Sequence, residues 1–179
     1  IDGEKSLSRQ DFNLPLRKCI LCNNDALYCI RTEAHEVNDI LLHIEKTTVF
    51  FFADLIVDLV DYAILRELKI DQKFGLVSLT SSGSHPDMNY QTMLKAKNSI
   101  LYYFKKMVIL GYQAEDLTTL LSSVRVDGLE AEKKMFEATN GINCYKGIIF
   151  LLGLSALSFG YTIKTSTCFN DVFKNIKII

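Results

Sequence analysis

Tryptophan is absent from the 179 residues, an absence that by itself excludes nothing. The scarcity of chain breakers says more. With 2 prolines and 9 glycines there are too few breaks for a turn-rich β fold, and long uninterrupted helices are favoured. Charge of one sign is also lacking: 20 basic against 21 acidic side chains give a formal net charge of −1. The electrostatic footprint of a nucleic-acid or anionic-membrane binder is therefore missing, and neither partner is expected. What is plentiful is apolar character, at 49% of residues, enough for a sizeable core and too much for a disordered chain. The polar opening IDGEKSLSRQ has no apolar h-region, so no signal peptide is expected. The 5 cysteines, three of them between Cys19 and Cys29, fit free thiols or a metal site in a reducing cytoplasm better than a secreted disulfide framework.

Two apolar runs imitate membrane spans. Val49 to Leu65 carries Asp54, Asp58 and Asp61 on one helix face, which predicts a solvated carboxylate stripe opposite Phe51, Leu55, Val60 and Ile64. Gly147 to Tyr161 is uncharged but bounded by Lys146 and Lys164, short of the roughly 20 residues a bilayer requires. A buried central helix is the expectation there.

Residues 1–37 have little periodicity and hold most of the cysteines, so a boundary is expected near residues 38–46. Beyond it the pattern predicts an all-α helical bundle with long functional loops, behind a small irregular Cys-rich segment. Helices are expected from about Thr47 to Leu68, and from Pro86 or Asn89 to Val108. Others follow over Glu115–Leu121, from Asp127 or Gly128 to Ala138, from Lys146 onward, and from Asn170 or Asp171 toward the end. Between the first two lies GLVSLTSSGSHPDMN, whose glycine, serine and proline mark irregular backbone, and whose length is typical of functional loops.

Three features could carry chemistry. In RKCILCNNDALYCIRTEAH, a C-x2-C pair with a third cysteine and a histidine can complete a Cys3His zinc site from Cys19, Cys22, Cys29 and His35. Ordinary buried thiols beside an exposed histidine are the alternative, and Arg17, Lys18 and Arg31 could instead hold a phosphate. The loop from Lys73 to Asn89 gathers Lys73, Ser78, Ser81, Ser82, Ser84, His85 and Asp87, with Gly75 and Gly83 allowing close backbone approach. His85 and Asp87, two apart, suit an acid–base pair, while Asp87 after Pro86 also suits a helix cap. In TNGINCYKGIIF, Asn140, Asn143 and Lys146 stand at the start of an apolar helix, where a positive dipole end favours an anion such as polyphosphate. A plain Asn-Gly turn before a capped helix is the bland reading.

Jointly these strings resemble a known pair of families. R-K-C-I-L-C, followed by Y-C-x-R and a histidine, is similar to the C-terminal signature of citrate lyase phosphoribosyl-dephospho-CoA transferases. K-x-G-L-V-S with G-S-H-x-D-M-N, then G-L-E-A-E-K-K-M-F, then N-G-I-N-x-x-K-G-I-I-F-x-L-G-L, resemble the triphosphoribosyl-dephospho-CoA synthases. The resemblance implies a transferase remnant over 1–40 and the N-terminal half of a synthase domain over 46–179, as in a bifunctional fusion. It implies the reaction of ATP with 3′-dephospho-CoA to give triphosphoribosyl-dephospho-CoA and adenine, with the acyl-carrier protein of citrate lyase as client of the parent polypeptide. His85 or Asp87 would then be the base. Lys73, Ser78, Gly83, Ser84, Asn89, Asn140, Asn143 and Lys146 would bind substrate and phosphate, with Mg²⁺ bridging and Asp87 as its candidate ligand. The stretches around His85 and Asn143 should line one cleft. Departures from the family pattern are Phe74 for proline, Asn89 for aspartate, Asn140 for glycine and Tyr145 for histidine. The family's later D-T-N and glycine-rich motifs are not in the sequence, so the chain alone is expected to be inactive. From a different class, a non-catalytic helical interaction module with a zinc knuckle would share the same pattern.

Overall fold

The computed structural model describes residues 7–71, 73–166 and 168–179. Among them the chain is helical, with no strand and a single isolated bridge between Lys18 and Asp25. The helices are α1 (Ala26–Arg31), α2 (Val37–Leu68), α3 (Tyr90–Gln113), α4 (Leu120–Thr139), α5 (Lys146–Thr165) and α6 (Asp171–Ile176), with short 3-10 turns at Gln10–Phe12 and Leu117–Thr119. The chain divides into two compact units, Ile1–Thr48 and Val49–Ile179.

Two helices are longer than the sequence pattern suggests. α2 starts at Val37, ten residues before Thr47, because nothing between Val37 and Leu68 breaks a helix: the stretch has neither glycine nor proline. α4 runs straight through Gly128, where a second helix was expected to open, and the segment before it is a 3-10 turn leading directly into α4. An isolated glycine costs a helix about 1 kcal/mol, too little to interrupt one packed along its whole length.

In the second unit, α3 and α5 form the centre of the core. Their backbones approach at two glycines, one from each helix. A Cβ on Gly111 would run into the Leu157 carbonyl, and a Cβ on Gly160 into the Val108 carbonyl. Fully buried Ile100, Phe104, Met107, Val108 and Leu157 fill the surrounding space. α4 adds Val124, Ala131 and Met135. α6 is tied to α5 by polar bonds: buried Ser158 donates to the Val172 carbonyl at 2.6 Å, and the Asn175 amide donates to Thr162 Oγ1 at 3.0 Å. Gly160→Ala is therefore expected to destabilise the fold by about 1–3 kcal/mol, since helix backbones must separate to admit the methyl group. Urea unfolding measures this, and an unchanged midpoint would contradict the crossing geometry.

α5 corrects one expectation. It is 20 residues long with mean hydropathy 1.5, so by length and composition it could cross a membrane; flanking Lys146 and Lys164 lie inside the helix and lengthen it. Ile149, Gly153, Ala156, Leu157 and Gly160 are buried in the core all the same. The carboxylates of α2 give another correction. Asp61 pairs with the buried ammonium of Lys97 and Asp54 with Lys105, both on α3, while Phe51 is 64% exposed. Lysines of α3 draw the expected solvent stripe toward the neighbouring helix, leaving Phe51 and Leu55 outside.

Candidate functional site

The loop between α2 and α3 folds back on itself. Gly75 and Gly83 both have positive φ, at 73° and 59°, and a Cβ on Gly83 would enter the backbone of Gly75 and Leu76. Ser84 N–H donates to the Gly75 carbonyl at 3.1 Å and Ser78 N–H to the Ser81 carbonyl at 2.7 Å, closing the loop. This cross-linking buries Val77 and Ser78 and presents a small cavity of about 320 Å³ lined by Ser78, Thr80, Ser81, Ser82, Asn89 and Tyr90. Hydroxyls and the first turn of α3 thus face one space. A larger groove of about 620 Å³, lined by Met107, Val124, Leu129, Ile149 and Gly153, is predominantly apolar and holds no residue of the α2–α3 loop.

Asn89, not Asp87, caps α3: its Oδ1 accepts from Thr92 N–H at 3.1 Å and from Thr92 Oγ1 at 3.2 Å. Asp87 is thereby left exposed, and the His85 ring is half-buried. Neither side chain makes a hydrogen bond or ion pair among the described residues. Lys73 is committed more tightly than its residue type suggested. Its side chain is 10% exposed and its ammonium donates at 2.7 Å to both the carbonyl and the carboxylate of Glu67, in the last turn of α2.

In the second loop, Asn140 ends α4 in the left-handed conformation (φ 57°), which asparagine tolerates better than most residues; this is where the family pattern has glycine. Asn143 Oδ1 accepts from Lys146 N–H at 3.2 Å and so caps α5, and Lys146 pairs with Glu132 at 3.1 Å. Tyr145 is 5% exposed. Its N–H donates to Met135 Sδ at 3.1 Å, and its hydroxyl is buried with no hydrogen-bond partner among the described residues.

Neither cavity is lined by both loops: the smaller draws only on residues 78–91 and the larger on neither loop. Burial, and then the charge of Asp87, push the Cys144 thiol up from its ordinary value. Burial, then Glu67 and Cys144, push the Tyr145 phenol up as well. Asp87 lies in the first loop and Cys144 in the second, while Glu67 ends α2 and is held by Lys73 of the loop that follows it. Glu67 was not singled out in the sequence. Its one signal there was an acidic residue six positions before Lys73, within reach once the chain turns out of α2.

The first unit carries a separate cluster. The ligand atoms of Cys19, Cys22, Cys29 and His35 all lie within 4.8 Å of one another, a group that could hold a metal ion. Cys22 Sγ stands 3.6 Å from Cys29 Sγ and 3.4 Å from His35 Nε2. The segment is pinned by Cys19 N–H to the Asn24 carbonyl (2.8 Å), Ala26 N–H to the Arg17 carbonyl (2.9 Å), and Asp25 capping α1. Backbone N–H groups of Leu21 and Cys22 lower Cys19 to about 6, whereas burial and the neighbouring thiols push Cys29 up to about 12. A dication at the centre would favour the thiolate at every position.

Residues 53–177 match the family model for ATP:dephospho-CoA triphosphoribosyl transferase, and residues 1–49 match that for apo-citrate lyase phosphoribosyl-dephospho-CoA transferase. The chain is 38% identical over 157 residues to Protein CitXG of Haemophilus influenzae, covering 86% of this chain and 34% of that protein. It is 34% identical over 143 residues to the 2-(5''-triphosphoribosyl)-3'-dephosphocoenzyme-A synthase of Haemophilus ducreyi, covering 78% and 44%. To Protein CitXG of Leuconostoc mesenteroides it is 31% identical over 175 residues, covering 91% and 38%. The chain therefore spans less than half the length of these relatives. No solved structure matches it.

Proposed function

The chain belongs to the ATP:dephospho-CoA triphosphoribosyl transferase family, and we propose on that footing that it forms part of a cytoplasmic enzyme transferring the triphosphoribosyl group of ATP to 3′-dephospho-CoA. The product would be the precursor of the citrate lyase prosthetic group, with the lyase's acyl-carrier protein as the eventual client of the parent polypeptide. The observation that supports this reading best is the α2–α3 loop, folded on Gly75 and Gly83 so that its hydroxyls and the first turn of α3 line one cavity, with the His85 and Asp87 side chains left without partners among the described residues.

In this reading a ribose hydroxyl of dephospho-CoA attacks C1 of the ATP ribose, and the bond from C1 to adenine breaks. His85 or Asp87 takes the hydroxyl proton, since both have no other partner among the described residues, and adenine leaves with a proton. The hydroxyl-lined cavity at Ser78–Ser82 and the N–H groups at the start of α5 accommodate phosphate oxygens. Lys73 keeps one donor beyond its two bonds to Glu67, and Lys146 lends charge from its pair with Glu132. Exposed Asp87 suits Mg²⁺, which takes few protein carboxylates alongside substrate phosphates and would neutralise the triphosphate.

We propose further that the Cys3His cluster holds zinc as a staple for the first unit. A tetrahedral ion with Zn–S near ~2.3 Å and Zn–N near ~2.0 Å sets its ligand atoms about 3.5–3.8 Å apart. The observed 3.6 Å and 3.4 Å separations fit that shape.

Adenine release from ATP by the parent polypeptide, and melting of the chain with ATP–Mg²⁺ or dephospho-CoA, are the test. Release should require both nucleotides, and each nucleotide that binds should raise the melting temperature; a ligand at 100 times its Kd adds ~2.7 kcal/mol. A parent polypeptide that releases no adenine, with no melting shift from either nucleotide, would sink the synthase reading.

A further inference from the structure

The groove of about 620 Å³ between α4 and α5 takes no part in the chemistry above. Its floor is made by buried Met107 and Val124, and Leu121, Leu129 and Phe150 stand exposed along it. The α4 wall, from Ser122 to Glu132, is about 15 Å long. The groove is therefore open, elongated and mostly apolar.

Gly128 makes it deeper than the fold requires. The residue lies inside α4, where glycine is a costly choice, and a Cβ there would meet nothing within 4 Å. Gly111 and Gly160 differ, because a neighbouring backbone crowds each of them. No described residue calls for the missing side chain at Gly128, whereas a guest lying against the α4 backbone would.

Charge places the polar end of that guest. Glu132 is the last α4 residue to line the groove, and it holds the Lys146 ammonium at 3.1 Å. Lys146 opens α5 one turn before Ile149 and Phe150, which belong to the opposite wall. A diphosphate paired with Lys146 would thus stand at one end of the groove. Farther along the α4 wall, Arg125 has no partner among the described residues and can donate to an amide carbonyl. The matching ligand has phosphate at one end and a long, largely aliphatic arm with amides behind it. ATP has only the first part. Dephospho-CoA has both, since its diphosphate carries a pantetheine arm.

We propose that the α4–α5 groove binds the pantetheine arm of dephospho-CoA, packed against Gly128, with the diphosphate at Lys146. The proposal rests on the synthase reading and gives the second substrate its site.

ADP is dephospho-CoA without the pantetheine arm, so the pair isolates the groove. The test is equilibrium binding of dephospho-CoA, ADP and ATP–Mg²⁺ to the wild-type chain, Gly128→Leu and Gly128→Ala. Wild type should bind dephospho-CoA about tenfold or more tighter than ADP, because the arm buries aliphatic groups. Gly128→Leu should lose that preference and keep the wild-type affinity for ADP and ATP–Mg²⁺. Leucine favours a helix over glycine and enters open space here, so the melting temperature of the free chain should not fall. Gly128→Ala adds only a methyl group; it should lose part of the preference and carries the test if leucine disturbs α4. Equal affinities for dephospho-CoA and ADP in wild type, or an undiminished preference in both variants, overturn the proposal and leave the synthase reading standing. Self-association of wild type that Gly128→Leu abolishes, with dephospho-CoA binding unchanged, also overturns it and gives the groove to a second copy. A chain that binds none of the three nucleotides overturns the proposal as well, and adenine release by the parent polypeptide then decides the synthase reading by itself.

Discussion

Stripping metal from the reduced chain with a strong chelator is expected to abolish hydrogen-exchange protection across residues 17–36 while Val49–Ile179 stays protected. Among the described residues of the first unit, Cys29 alone is buried; everything else is half-exposed or open. A segment this small without a core needs a disulfide, a metal or a partner to hold one conformation. The sulfurs of Cys22 and Cys29 are 3.6 Å apart and free, so no disulfide serves. Apparent zinc-binding energies in small cysteine–histidine modules are about 10–16 kcal/mol at neutral pH, and in such a segment binding energy is folding energy. Cys22→Ala should act like the chelator, since Cys22 touches both Cys29 and His35. Purified wild type should carry one zinc per chain and the variant none. Equal exchange at the Cys19 and Ala26 amides with and without metal would show that the turn holds itself together.

How much of this was legible in the sequence differs from element to element. The all-α class followed from the lack of chain breakers, and the same lack extends α2 back to Val37, a consequence that hydrophobic periodicity hid because polar Asn38, Asp39 and His43 interrupt it. The cysteine cluster was legible because a C-x2-C turn and a nearby helix bring donors together locally. The synthase loops were legible as motifs, but the occupation of their side chains was not. Asn89 and Asn143 act as helix caps and Lys73 and Lys146 sit in ion pairs, and each assignment depends on a partner that the fold supplies from elsewhere. Glu67 escaped notice for the same reason: its meaning comes from Lys73, which reaches it only after the chain has turned out of α2. Phe51 and Leu55 went astray in the opposite direction. A helical wheel of α2 alone turns them inward, yet both are exposed, while Asp54 and Asp58 lie in solvent and Asp61 turns to Lys97 of α3.

His85→Ala and Asp87→Ala are expected to separate the two roles that the first loop combines. Both groups lie on a loop whose backbone is locked by Gly75–Ser84 and Ser78–Ser81 bonds, so neither substitution removes an internal contact and melting temperatures should stay within a degree or two of wild type. If His85 takes the proton of the attacking hydroxyl, His85→Ala should slow adenine release by about 10²–10⁴-fold with little change in KM for ATP, the usual magnitude for a general base. Asp87, exposed and able to meet Mg²⁺, should show its loss differently: Asp87→Ala should raise the Mg²⁺ concentration needed for half-maximal rate, and excess Mg²⁺ should restore part of it. The opposite pattern, with Mg²⁺ dependence moving in His85→Ala and a pure rate loss in Asp87→Ala, would exchange the assignments. Where both variants turn over at the wild-type rate, the proton goes elsewhere.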